Sequence, residues 1–207
     1  MNLFGLNFQG WKLNTKLDYI FFFSFIIIGV LAFYIAIKQL NKMRTDENGR
    51  KRVIKEFKKL IKKPVLICEK DFVNIFDKPD IVDIILLDKG LFLIKAYGWG
   101  TKIYSSGNEK SWIREDAKRT ESFDNPNIIL SEIEKNIKAE LKKENIQNIN
   151  IYPIVVFAEN YQEPEIYVGN DKTVVSYKNM KKWYKNIKKS AYAIDFDSVS
   201  RAINNIQ

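Results

Sequence analysis

Residues 81–100 read IVDIILLDKGLFLIKAYGWG, and the reading of this stretch decides the fold. Two apolar runs, Ile81–Leu87 and Leu91–Tyr97, flank Asp88-Lys89-Gly90, where glycine supplies the positive φ of a tight turn. The first run is rich in β-branched residues, and both are too short for ordinary helices. The stretch therefore predicts a β-hairpin.

Upstream, PVLIC (64–68) and FVNIF (72–76) read as short strands. Before them, Val53, Ile54, Phe57, Leu60 and Ile61 recur at helical spacing among lysines, predicting an amphipathic helix that stops before Pro64. Downstream, Asn125-Pro126 opens a helix whose stripe is Ile128, Ile129, Ile133, Ile137 and Leu141. IYPIVVFA (151–158) reads as an interior strand, with shorter strands at 166–168 and 173–176. A basic helix near Asn179–Lys189 and a last one carrying Val199, Ala202, Ile203 and Ile206 close the chain. Strands interleaved with helices predict one α/β domain with a central mixed sheet flanked by helices.

Charge separates the rest of the chain. The 207 residues hold 34 basic and 25 acidic side chains, a net of +9. Residues 38–63 contain eleven basic residues against Asp46, Glu47 and Glu56, whereas residues 64–207 balance 21 against 21. The surplus follows Tyr19–Ile37, YIFFFSFIIIGVLAFYIAI, nineteen residues without a charge. At about 1.5 Å per residue this run matches a hydrocarbon layer of about 30 Å. Its positive flank lies after the apolar stretch and no small-residue cleavage site follows, the reverse of a signal peptide. It therefore predicts a retained single-pass transmembrane helix of the cell membrane with the C-terminal domain cytoplasmic. The expected organisation is a short outer or interfacial N-terminus (1–18), the membrane helix (19–37), a polybasic juxtamembrane amphipathic helix (38–63) and a cytoplasmic α/β domain (64–207).

Composition excludes several chemistries. Without histidine there is no imidazole metal site and no Ser-His or Cys-His pair, and the single Cys68 allows no CxxC motif. Lys38, Lys42, Arg44, Arg50, Lys51, Arg52, Lys55, Lys58 and Lys59 are candidates for contact with anionic lipid, each worth roughly 1 kcal/mol near a charged surface, or with nucleic acid. Lys181, Lys182, Lys185 and Lys188, near Trp183 and Tyr184, form a candidate second basic patch, read in the first instance as a solvated helix face with the two aromatics packed inward.

The order of these pieces resembles the nuclease-related domain (NERD) family, whose members look like PD-(D/E)xK restriction-endonuclease-like nucleases. The resemblance covers about residues 48–189. Gly49-Arg50 stands where the family has Gly-Glu before an amphipathic helix. Val82-Asp83-Ile84 stands where it has a strand with I-D-H, leading through a glycine turn to an apolar strand ending in E-x-K. Trp112, Phe123-Asp124-Asn125-Pro126 and Val155-Val156-Phe157 are similar to the later motifs. The resemblance implies a restriction-endonuclease-like fold and, in the family, carboxylates that hold Mg²⁺ with a lysine beside the attacking water.

This sequence departs from that pattern at the decisive places. The E-x-K motif reads Lys95-Ala96-Tyr97, Arg50 replaces the first glutamate, and Ile129 stands at the family glutamine. Of the implied catalytic set only Asp83 carries over, with Lys95 and Tyr97 at the E-x-K positions. An ammonium in place of a carboxylate shifts the local charge by two units and repels a divalent cation. The expectation is a membrane-anchored pseudoenzyme with no cofactor, acting in binding or scaffolding, with Asp83 salt-bridged, to Lys95 if the two share a pocket. Its expected partners are anionic lipids, nucleic acid and other membrane proteins. One alternative is an active Mg²⁺-dependent nuclease built on Asp83 and further carboxylates. Another is a membrane-organising protein-interaction subunit.

Overall fold

The computed structural model describes residues 2–3, 6–7, 16–60, 66–73, 79–87, 89–105, 110–146, 148–160, 162–169, 173–188 and 194–205. The chain divides into two units, Met1–Lys42 and Met43–Gln207.

The first unit holds a two-stranded antiparallel ribbon, β1 (Asn2–Leu3) and β2 (Leu6–Asn7), and helix α1 (Lys16–Met43). Within α1, the span Lys16–Leu40 contains an 18-residue window of mean hydropathy 2.8 and is long and apolar enough to cross a membrane. Most of its phenylalanines and isoleucines, among them Phe21, Phe25, Ile28 and Phe33, are exposed around the helix. A helix that is apolar all round wants an apolar solvent.

The second unit is a mixed α/β domain. Its main sheet has the order β11-β9-β5-β4-β3, with β3 Leu66–Val73, β4 Pro79–Leu87, β5 Gly90–Tyr97, β9 Ile151–Phe157 and β11 Val174–Ser176. β3, β4 and β5 run antiparallel in turn, while β9 and β11 join in parallel. The expected hairpin is β4–β5, with Leu87 opposite Gly90 and a φ of +140° at that glycine. Asp88 lies outside the described residues. The two short strands read at 64–68 and 72–76 are instead one strand, β3, as far as residue 73. It is an edge strand, and its ladder sets Glu69, Lys70 and Asp71 opposite Asp83, Val82 and Ile81.

Helices cover both faces. On one, α3 (Pro126–Lys143) and α5 (Phe196–Asn204) pack through Ile129, Ile133, Ile137, Val199 and Ile203 against Val82, Ile84, Leu93 and Phe157. Asn125 caps α3 by accepting from the Asn127 amide, as the Asn-Pro start predicts. On the other, α2 (Asp46–Leu60) and α4 (Tyr177–Asn186) bury Val53, Phe57, Met180 and Tyr184 against Ile85, Phe92, Ile94 and Val156. The segment 38–63, read as one amphipathic polybasic helix, is thus divided: α1 runs on through Lys42, and α2 starts at Asp46. Ile206 and Lys189, read as parts of the last two helices, lie outside the described residues.

A second sheet goes beyond what the sequence suggested. It has the order β10-β6-β7-β8, formed by Glu165–Tyr167, Lys102–Tyr104, Ser111–Glu115 and Thr120–Asp124. Trp112, Ile103 and the half-buried Phe123 and Ile166 turn its inner face toward the α3 side of the core.

Candidate functional site

Strand alternation sorts the residues at the family positions. On β4, Val82, Ile84 and Leu86 belong to the α3 side, and Ile85 and Leu87 to the α2 side. Asp83 therefore faces α2, and Asp80 faces α3. Asp83 pairs across the hairpin with Ile94, so the next residue, Lys95, falls on the opposite face, in line with Leu93 and Tyr97. The shared pocket on which an Asp83–Lys95 pairing depended is absent, since the two residues lie on opposite sides of one sheet, and each has a separate partner.

On the α2 face, Arg50 Nη1 donates to Asp83 Oδ1 at 3.2 Å, with 17% of the Arg50 and 6% of the Asp83 side chain exposed. Arg50 reaches the sheet because its neighbour Gly49 lets the helix touch the strand. A Cβ on Gly49 would meet the Gly98 backbone just past the end of β5. On the α3 face, the Lys95 ammonium lies against Asp80 and 3.3 Å from the Ile81 carbonyl. Burial lowers the Lys95 amine to about 8; Asp46 and Asp124 pull it back up, and Arg114 and Arg50 push it further down. Tyr97 is buried, stacks on Phe157 at 5.3 Å, and is held neutral because burial raises its phenol far above the ordinary value. Ile129, at the family glutamine, is part of the core.

The depressed Lys95 amine has a consequence for stability. The unfolded chain holds this proton up to the ordinary value of 10.5, while the folded chain releases it near 8. Between those values the unfolded state carries more protons, so stability rises with pH across the window. Urea unfolding of the full chain in detergent should show a gain on the order of 2 kcal/mol from pH 8 to 10. Lys95→Met should flatten that slope. An unchanged slope in the variant would remove Lys95 as its source.

Sequence reading missed the polar cluster just past β5. Glu159 is buried, accepts from Arg44 Nε at 3.0 Å, and accepts from the amides of Gly100 at 3.1 Å and Asn160 at 2.6 Å. Arg44 also pairs with Asp116 at 2.9 Å. Burial alone would lower the Arg44 value, and the two carboxylates overcome it, so the guanidinium is held above its usual range. Arg114 makes a two-pronged pair with Asp46 at 2.7 and 2.9 Å and a third bond to Glu121 at 3.0 Å. Trp99 is buried, with the guanidiniums of Arg114 at 4.2 Å and Arg119 at 3.5 Å from its ring centre. The cluster joins the start of α2, the ends of β5 and β9, and the β7–β8 turn. Its one sequence signal was an acid, Glu159, directly after an apolar strand.

The basic candidates separate into two groups. Arg44 and Arg50 are paired as above, and Arg52 donates to the Ala158 carbonyl at 2.9 Å with its guanidinium 4.7 Å from the Tyr177 ring. These three, read as lipid or nucleic-acid contacts, are engaged inside the domain because their long side chains reach the sheet. Lys38 on α1, and Lys51, Lys55, Lys58 and Lys59 on α2, are exposed, while Lys42 lies in α1. On and after α4, Lys181, Lys182, Lys185 and Lys188 are exposed, and Tyr184 and Trp183 pack inward against Phe92 at 5.7 and 6.1 Å.

The residues at the family positions do not fit a divalent cation. Asp83 meets a guanidinium, Lys95 brings a positive charge of its own, and Tyr97 is a neutral phenol inside an aromatic stack. Among the described residues, no group of three or more Cys, Asp and Glu converges as a metal cluster would require. A family model described as nuclease-related domain matches residues 45–158, from just before α2 to just after β9. The comparison with curated proteins found no match, and neither did the comparison with solved structures.

Proposed function

Because the chain belongs to the nuclease-related domain (NERD) family, we propose that it is a membrane-tethered member that binds or scaffolds instead of cutting phosphodiesters. One observation carries the reading. At the place of the family's first glutamate, Arg50 donates to Asp83, the remaining carboxylate, with a guanidinium where a metal would need a second acid. Lys95 adds a second inversion of charge at the E-x-K position. Phosphoryl chemistry assisted by a metal needs converging oxygen ligands and a water made acidic by the ion. Arginine and lysine supply neither.

The tether in this reading is α1, with the basic surplus after it favouring a cytoplasmic α/β domain at the cell membrane. Anionic lipids are the first proposed partner, nucleic acid the second, and other membrane proteins the third.

The test uses the full chain in detergent with supercoiled plasmid and Mg²⁺ or Mn²⁺. No nicking above the buffer blank is expected, for the wild type and for Asp83→Ala alike. Cleavage that disappears in Asp83→Ala would overturn the reading in favour of an active nuclease. Salt-sensitive retention of DNA without cleavage would make nucleic acid a partner.

A further inference from the structure

The flank of α2 next to the Arg50–Asp83 pair carries a groove of about 270 Å³, lined by Arg50, Lys51, Ile54, Lys55 and Lys58. The spacing explains it: residues i, i+1, i+4, i+5 and i+8 of a helix share one side. Gly49, Val53 and Phe57 turn the opposite side into the core. Four cations therefore surround one half-buried isoleucine.

These cations differ in how they are held. Arg50 is oriented from below, since Asp83 fixes its guanidinium at 3.2 Å. Lys51 shares its charge with the exposed Glu47 on the same helix. Lys55 and Lys58 have no ion-pair partner among the described residues, and both are exposed. The groove thus offers one positioned fork and two exposed ammonium groups, a set that suits a phosphate better than a planar carboxylate.

We propose that this groove receives the headgroup of an anionic phospholipid. The phosphate is held between Arg50, Lys55 and Lys58, and Ile54 lies against the glycerol ester. The inference rests on the membrane-tethered reading above. Two observations choose lipid over nucleic acid. α2 begins at Asp46, three residues after α1 ends at Met43, so the groove follows closely in sequence on a helix apolar enough to span a bilayer. The groove also has an aliphatic floor and no aromatic side chain on which a base could stack. In this reading Asp83 is a positioning residue, its carboxylate aiming a cation outward.

The experiment reconstitutes the full chain in nanodiscs of phosphatidylcholine containing phosphatidylglycerol, then counts by native mass spectrometry the lipids retained on release. Selective retention of phosphatidylglycerol is expected. Lys55→Gln/Lys58→Gln should weaken it by about ten- to thirtyfold, from roughly 1 kcal/mol per lysine near a charged surface. Lys181→Gln/Lys182→Gln removes the same charge from α4 and should leave retention unchanged. Equal loss in both variants would reduce the effect to bulk charge and overturn the site. So would retention that does not prefer phosphatidylglycerol, or displacement of the lipid by inorganic phosphate or duplex DNA. Failure of the chain to enter nanodiscs would sink the tether, and plasmid cleavage would sink the non-catalytic reading. Each outcome is distinguishable from loss of the headgroup site.

Discussion

Truncation of Glu159 to alanine is expected to destabilise the α/β domain by about 3–5 kcal/mol. The side chain is fully buried, and its two oxygens serve Arg44 and the amides of Gly100 and Asn160. Its removal leaves the Arg44 guanidinium, 9% exposed, still paired with Asp116 at 2.9 Å. Two amides lose their acceptor as well. A buried charge that loses one of its two partners costs more than that pair contributed, because part of its desolvation is no longer compensated. Glu159→Gln keeps the shape and an acceptor oxygen, and should fall between alanine and wild type. Urea unfolding of the full chain in detergent, followed by tryptophan fluorescence, measures both. A loss below about 1 kcal/mol for the alanine variant would mean that the cluster is solvated and does not clamp the second sheet to the first.

The second large effect is expected at Gly98. Its added Cβ would run into the Thr45 carbonyl, with the Asp46 amide 3.1 Å away, and its own amide donates to Asp46 Oδ1 at 2.8 Å. The obstruction is backbone, which cannot rotate aside as a side chain can. Gly98→Ala must push the start of α2 off the sheet, at about 3 kcal/mol or more. Gly49→Ala should behave similarly, since its Cβ meets Gly98 from the other side. Gly169→Ala is the control: its φ is +72° with nothing within 4 Å, so only backbone strain of about 1–2 kcal/mol applies. If Gly98→Ala is no worse than the control, the helix is not seated on the strand in the way described.

These two glycines also show where the sequence was legible. The hairpin at 81–97 and the helix after Asn125-Pro126 could be read directly, because long apolar runs and a cap have few competing interpretations. The start of α2 could not, because Asp46-Glu47-Asn48-Gly49 carries no apolar period. What holds it is a close backbone approach to residue 98. Apart from β10, read as a short strand at 166–168, the second sheet escaped for a related reason: its strands are three to five residues long, and much of their outer face is polar. At the candidate site, the substitutions at 50, 95 and 97 were plain from the sequence, and the pairing was not. Yet the tight turn contains the answer: Leu87 opposite Gly90 sets Asp83 opposite Ile94, and Lys95 then falls on the other face. The partner of Asp83 comes from a helix, where strand register gives no guidance.

The place of β5 in the main sheet also bears on how the chain is made. Its antiparallel neighbour β4 is synthesised just before it, but its parallel neighbour β9 follows roughly fifty residues later, an interval of about 3–10 s at ribosomal speed. Over those seconds the Leu91–Tyr97 edge of the nascent chain has hydrogen-bonding groups and aliphatic side chains but no strand to receive them. It is the segment on which a ribosome-associated chaperone would act, and the first at which a stalled or truncated chain would aggregate.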